Sequence, residues 1–464
     1  MTANFIQIGY LRRNWSQSKI FRRLLIGAAI YLLFRLALQG VVLAQVLSAG
    51  PIASETTLIS NDLQIYMTAA LRLVNHQELY LQEALDRVAV YQYAPSFALA
   101  LTPFLRMPFG ILALLHTLLN LSSYLLLYLG WGRIFHRLGL HQANDWLAWT
   151  LPVWVVFAGF WGDLSYLNIY IITALICTWL IEAVLTERLG WSLVWVSILL
   201  QTKPYLAFPL MVPLILGRPR FFIKLIALAL VGYVTIVGTT ILLMGPAYGW
   251  EQYEAYLRFL ANMTADFPWR GPESGFLGYN HSILQIVYYW FGIIPNVLRL
   301  AIIIKICLLL PLAGVSLRHW LRPAGCAGCE APQLSLCLMF AWYTGAMIWL
   351  DIVWEMTLGI AALAYLLATL EQRRSKIWVL AIFLAYALLD FWQVASFIAL
   401  GPDIIASDLY IWTDPSIYIP MVMGVIMVFY GLLLNQLWHW PVPSANQAEM
   451  KTAELVKPIA YHPD

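Results

Sequence analysis

The sequence predicts an all-α polytopic membrane protein, and three observations predict it. Only 11% of the 464 residues are charged while 61% are hydrophobic. A soluble domain carries about 25% charged residues, so this chain has too little polar surface to face water. Apolar runs close to the roughly 20 residues that cross a bilayer recur from residue 24 to residue 438. Short clusters of Arg and Lys flank alternate runs, as the positive-inside rule requires of a chain that crosses repeatedly.

Arg12, Arg13, Lys19, Arg22 and Arg23 precede the first run, 24–47. That run is too long for a signal-peptide core and lacks a small-residue cleavage site, so it reads as an uncleaved helix with residues 1–23 in the cytoplasm. Run 111–132 returns to Arg133, His136 and Arg137; 146–161 goes out, and 166–184 comes back to Glu187 and Arg188. Runs 191–200 and 205–216 are short and broken by Lys203-Pro204, the pattern of a hairpin of half-length helices. Arg218, Arg220 and Lys224 then mark the inside, and 221–243 leads out again. Run 297–315 returns to Arg318 and Arg322; 334–350 and 353–370 surround Asp351 and Glu355; 377–398 and 417–437 complete about twelve spans. The expected organisation is one transmembrane domain over 24–438, outer loops at 48–110, 245–282 and 399–416, and a cytoplasmic tail over 439–464.

Composition also narrows the partners. A net charge of +3, scattered in short clusters, argues against nucleic acid. Cys177, Cys307 and Cys337 sit in apolar runs and give no disulfide framework. Cys326 and Cys329 form a lone CxxC, readable as a zinc or redox site or as a plain cytosolic loop. No HExxH, EF-hand pattern or clustered His/Cys set suggests a metal, and neither GxGxxG nor a P-loop is present to bind a nucleotide. No cofactor is expected.

The first outer loop is large and carries a helical pattern. Apolar residues at 63, 66, 67, 70, 71 and 74 share one face, with Gln64, Thr68, Arg72 and Asn75 on the other. A helix this short and polar is expected in the interface plane. Asp62 stands at its N-terminus, where a carboxylate either caps backbone N–H groups or serves as a general base at the water–lipid boundary; one side chain can do both. Tyr80 follows, then Tyr91-Gln-Tyr93-Ala-Pro95 and an apolar stretch to Pro103, too short to cross and bracketed by prolines.

The order of these features resembles the first loop of the GT-C glycosyltransferases of family 87. The carrying residues are Asp62-x-x-x-Tyr66-x-x-Ala69, Leu79-Tyr80 and Tyr93-Ala94-Pro95. Gln201-Thr-Lys203-Pro204-Tyr205 is similar to that family's lysine-proline element, and Gly278-Tyr-Asn280-His281-Ser282 to its Gly-Asn-Gln-Ser element. The chain departs at Ala94, where a first proline is usual, at His281 in place of Gln, and at Gly162-Asp163-Leu-Ser-Tyr-Leu-Asn168 in place of Gly-Gln-x-Asn.

The resemblance implies a mannosyltransferase-like enzyme of a cell (plasma or inner) membrane with its active site facing outward or to the periplasm. It implies a polyprenyl-phosphate-linked sugar donor and a lipid or glycan acceptor. Asp62 is the implied base of an inverting transfer, with Asp163 a second catalytic candidate in an outer turn. Lys203, His281 and Arg270 are implied donor-phosphate ligands; Tyr66, Tyr80, Tyr93, Asn280 and Ser282 are implied substrate contacts. Each has a plainer reading: Lys203 snorkelling from a short helix, Asn280 and His281 capping a helix near Ser282, Arg270 anchoring at the interface. Arg35, Asp351, Glu355 and Asp390 are candidates as ionisable residues in or beside spans. A multi-pass transporter or lipid flippase, or a non-catalytic envelope scaffold, remains the alternative function.

Overall fold

The computed structural model describes residues 2–52, 61–80, 91–266, 280–292, 294–321, 332–400 and 415–440. Among them every regular element is helical. The chain opens with α1 (Thr2–Gln17), α2 (Lys19–Val46), α3 (Asp62–Val74), α4 (Pro95–Leu101) and α5 (Phe109–Arg137). A broken run follows as α6 (His141–Trp149), α7 (Leu151–Val156) and α8 (Ala158–Ser165), then α9 (Tyr170–Leu185) and α10 (Leu189–Thr202). A 3-10 helix over Pro204–Met211 leads to α11 (Val212–Ile215), α12 (Pro219–Met244), α13 (Pro246–Asp266), α14 (Ile283–Phe291) and α15 (Pro295–Trp320). The chain continues with α16 (Pro332–Trp349), α17 (Gly359–Thr369), α18 (Arg373–Ala387), α19 (Leu389–Leu400) and α20 (Pro415–Trp438).

This is a multi-pass membrane protein. Among the described residues α2, α5, α12, α15 and Pro420–Trp438 are each long and apolar enough to cross a bilayer. Two bent pairs, His141–Trp149 with Leu151–Ser165 and Arg373–Ala387 with Leu389–Ser396, bring the number to seven. The other expected runs form shorter helices, including Tyr170–Leu185, Leu189–Thr202, Pro204–Ile215 and Gly359–Thr369. Proline explains one break: Lys203, kept out of helical geometry (φ −129°, ψ 76°) by the ring of Pro204, ends α10.

Three elements differ from expectation. Helix α3 is not half-exposed: Gln64, Thr68 and Arg72, the polar face, are as buried as Tyr66 and Met67. It packs on α4 and the adjoining 3-10 helix over Thr102–Arg106, in a second core with Tyr80, Tyr91, Tyr93 and Tyr256. The expected loop 245–282 holds α13, folded back on α12 at Gly245 (φ +90°). Gly249 makes that return close, because a Cβ there would lie 2.7 Å from Ile241 Cα. Finally, 350–358 is unwound between α16 and α17, so the second of the two expected spans there, 353–370, starts as helix only at Gly359.

Basic residues gather at one end of the bundle. Arg133 and Arg137 at the end of α5 both pair with Glu182 of α9, and Arg218 pairs with Glu187 at 2.6 Å. The α3 core lies at the other end of α5, against Phe109, Leu112 and Ala113. Cys326, Cys329 and most of 399–416 and 439–464 lie outside the described residues.

Candidate active site

Asn61, not Asp62, caps α3: its side chain accepts from Gln64 N at 2.8 Å. Asp62 is the first helical residue, and its own N–H donates to Tyr166 O at 2.8 Å. The cap is thus filled by a neighbour, and the Asp62 carboxylate accepts instead from Asn168 Nδ2.

Asn168 comes from the turn between α8 and α9. That turn is tight enough to place Leu167 at φ +50°, a conformation that non-glycine residues rarely adopt. The Asn168 side chain is fixed on its acceptor side: Oδ1 accepts from Tyr66 OH at 2.8 Å and from Ile169 N at 2.6 Å, which leaves Nδ2 to face Asp62. Its carbonyl accepts from Asn120 Nδ2 at 3.0 Å and lies 2.9 Å from His116 Nε2, both on α5. Tyr66 OH lies 3.1 Å from Tyr93 OH, and Tyr80 OH donates to Tyr93 O at 2.6 Å. Burial pushes the Tyr66 and Tyr93 phenols well above their ordinary range, which keeps both protonated.

Asp163 stands nearby with another job visible. Its two oxygens accept from Tyr170 N and Ile171 N, each at 3.0 Å, so the carboxylate caps α9 and complements its dipole. Lys203 Nζ sits 3.7 Å from the centre of the Tyr170 ring and 5.0 Å from that of Tyr93, within electrostatic reach of both Asp62 and Asp163.

Asn280, His281 and Ser282 are buried elsewhere. Ser282 Oγ caps α14 by accepting from Gln285 N at 3.1 Å. Asn280 donates to Asp351 O at 3.0 Å and accepts from Val353 N at 3.0 Å, while His281 N donates to Val353 O at 2.7 Å. This trio staples segment 350–358. Arg270 lies outside the described residues.

Asp62, Asp163 and Asn168 line a cavity of about 400 Å³. Glu355 of the unwound segment lines it too, together with Arg35 of α2 and Asp390 of α19. Arg35 grips Asp390 through two bonds of 2.8 and 3.0 Å, reaches Ser165 Oγ at 3.0 Å, and lies 5.0 Å from the centre of the Trp161 ring. Tyr31 OH donates to Asp390 as well. The cavity is bordered on another side by Phe34 and Leu38 of α2 and by Val394 and Ile398 of α19. Phe34 and Ile398 are exposed, so this side of the cavity is an apolar outer surface of the bundle. Among the described residues no group of three or more His, Cys, Asp or Glu side chains is placed to hold a metal.

Sequence reasoning reaches Asp62, Asp163, Lys203, Tyr66 and Tyr93, which the structure gathers. It singles out Arg35, Glu355 and Asp390 only as charges inside spans, and it gives no role to Asn168, whose partner is 106 positions away.

A membrane-spanning helical bundle with a carboxylate-lined cavity bordered by exposed apolar side chains is suited to chemistry on a polar group carried at a membrane. Residues 91–343, more than half of the chain, match Glycosyltransferase family 87. The chain belongs to that family, and it is a membrane glycosyltransferase. The assignment favours the enzyme over the transporter, flippase and scaffold readings. The matched residues include Asp163, Asn168, Lys203 and Asn280–Ser282 and begin beyond Asp62. No curated protein and no solved structure matches the chain.

Proposed function

We propose that this enzyme moves a hexose, mannose by the family's default, from a polyprenyl-phosphate carrier to a hydroxyl of a lipid or glycan acceptor, with Asp62 as the general base. The observation that carries the reading is that the helix cap is filled by Asn61 while Asp62 is aimed by Asn168 and set in the wall of a cavity bordered by apolar side chains of α2 and α19. A prenyl chain would lie in the bilayer against Phe34, Leu38, Val394 and Ile398 while its sugar enters among the carboxylates.

In the proposed step the acceptor oxygen attacks the anomeric carbon as the bond from that carbon to the phosphate oxygen breaks. The leaving polyprenyl phosphate takes the electron pair, the hydroxyl proton passes to an Asp62 oxygen, and the configuration inverts. Cations offset the charge growing on the phosphate. Lys203 beside Asp62 and Arg35 in the cavity wall are the groups that fit; Arg270 keeps this role by resemblance alone. His281, buried against segment 350–358, acts by holding that segment. Asp163 anchors the turn that presents Asn168. Tyr66 and Tyr93 orient Asn168, and Tyr80 supports the backbone of Tyr93.

Orientation follows from charge. With the Arg133–Arg137–Arg218 end in the cytoplasm, the cavity falls at the outer or periplasmic face of a cell membrane. The experiment is sugar transfer by the purified chain from synthetic polyprenyl-phosphate-[3H]mannose, with GDP-[3H]mannose in parallel, into a host lipid extract. Labelled product from the lipid-linked donor alone supports the reading. Product from the nucleotide sugar alone overturns the donor assignment.

A further inference from the structure

Part of the cavity wall, at Trp354 and Glu355, comes from backbone that is unwound between two apolar helices. Segment 350–358 covers the expected break at 351–352 and the first turns of the expected span 353–370, and irregular backbone beside spans survives only if protein satisfies its polar groups or it lines a cavity. Protein meets that requirement here. Val353 N and O bond Asn280 and His281, Met356 N donates to Tyr386 OH at 3.1 Å, and Leu358 N donates to Tyr343 OH at 3.1 Å. Lys305 of α15, buried, donates to Trp349 O at 2.9 Å and to Leu350 O at 3.3 Å, and pairs with Asp351. Asp351 in turn accepts from Thr264 Oγ1 at 2.7 Å. A buried lysine, an asparagine and two tyrosines thus hold open one short stretch, and that stretch delivers Glu355 to the cavity.

The seat of Glu355 is shaped for it. Gly159 of α8 leaves room beside the carboxylate: a Cβ there would lie 2.8 Å from the Phe157 ring and 3.1 Å from Glu355 Oε2, and Gly162, one turn on, borders Oε1. Oε2 accepts from Tyr386 OH. Among the described residues no cation pairs with Glu355, and Tyr386 is its hydrogen-bond donor. A carboxylate offers about four acceptor positions, so most of its capacity is left for what enters the cavity. A ligand rich in hydroxyl donors, a sugar ring, matches that surplus.

We propose that Glu355 is a specificity-determining residue that accepts a hydrogen bond from a ring hydroxyl of the transferred sugar, and that the Lys305–Asp351 anchor sets its reach. This rests on the cavity being the glycosyl-transfer site. The test uses the full chain as wild type, Glu355→Ala and Glu355→Gln, with polyprenyl-phosphate-mannose and its 2-, 3-, 4- and 6-deoxy analogues. For the wild type, one deoxy donor should lose about 10- to 100-fold in kcat/KM, the range a hydrogen bond to a charged group supports. Glu355→Ala should lose a similar factor on the parent donor and show no further loss on that one analogue. Glu355→Gln, which keeps the shape and one acceptor oxygen, should lose less. A common loss on all five donors, or rates equal to wild type, would overturn the proposal by making Glu355 structural or idle. Absence of wild-type transfer from every lipid-linked donor would instead sink the underlying reading, and this inference with it.

Discussion

Asn168→Ala isolates what aims the base. The substitution removes the amide that donates to Asp62 and the oxygen that accepts from Tyr66 OH and Ile169 N, and leaves the backbone contacts of residue 168 with Asn120 and His116 in place. A hydrogen bond to a charged group contributes about 1.5–3 kcal/mol, and Tyr66 retains Tyr93 as a partner at 3.1 Å. A folded protein with a thermal midpoint lowered by several degrees is therefore expected. The larger effect falls on turnover, because a catalytic group misplaced by about 1 Å costs on the order of 100-fold. Steady-state transfer should show kcat reduced about 10- to 100-fold with acceptor KM within about threefold of wild type. In an Asp62→Asn background the same change should lower the residual rate no further, since the two residues act as a unit. Wild-type kcat in Asn168→Ala, or a full additional loss in the double variant, would refute the claim that Asn168 works through Asp62.

Two further outcomes follow from the same geometry. Asn61→Ala removes the α3 cap and should cost about 1 kcal/mol, read as a lower unfolding midpoint, with a fall in transfer because the first turn carries Asp62. Asp390→Asn leaves Arg35 facing a neutral partner inside the membrane; a loss of about 3–5 kcal/mol is expected, while the paired change Arg35→Met with Asp390→Leu should be milder than either single one, as measured by thermal unfolding in detergent.

The long apolar helices were legible in the sequence because nothing competes with lipid in setting them. Runs 24–47, 111–132, 221–243 and 297–315 sit within a few residues of α2, α5, α12 and α15. The loop helix was legible in extent and not in setting. Its 3.6-residue apolar stripe implies one wet face, yet tertiary packing buries Gln64, Thr68 and Arg72 along with it. Adjacent Asn61 and Asp62 are both good caps by local chemistry; the bond from Asp62 N to Tyr166 O, a contact between distant segments, selects Asn61. α13 is hidden because Glu251, Gln252 and Glu254 break its apolar pattern and make it read as loop. Residues 353–358 are apolar enough to read as the start of a span and stay unwound through Tyr343 and through the distant Asn280 and Tyr386, while Lys305 holds the carbonyls of 349 and 350. The site was therefore legible as a set of residue types and illegible as a set of partners.

The central claim is that Asp62 is the base, and the most direct measurement compares wild type with Asp62→Asn and Asp163→Asn, each shown to be folded, in transfer from polyprenyl-phosphate-mannose. The account predicts transfer by Asp62→Asn reduced about 100- to 10,000-fold to a small residual rate, and a lesser loss together with a lowered unfolding midpoint from Asp163→Asn, whose carboxylate caps α9. Equal product from Asp62→Asn and wild type, with none from a stable Asp163→Asn, would contradict it.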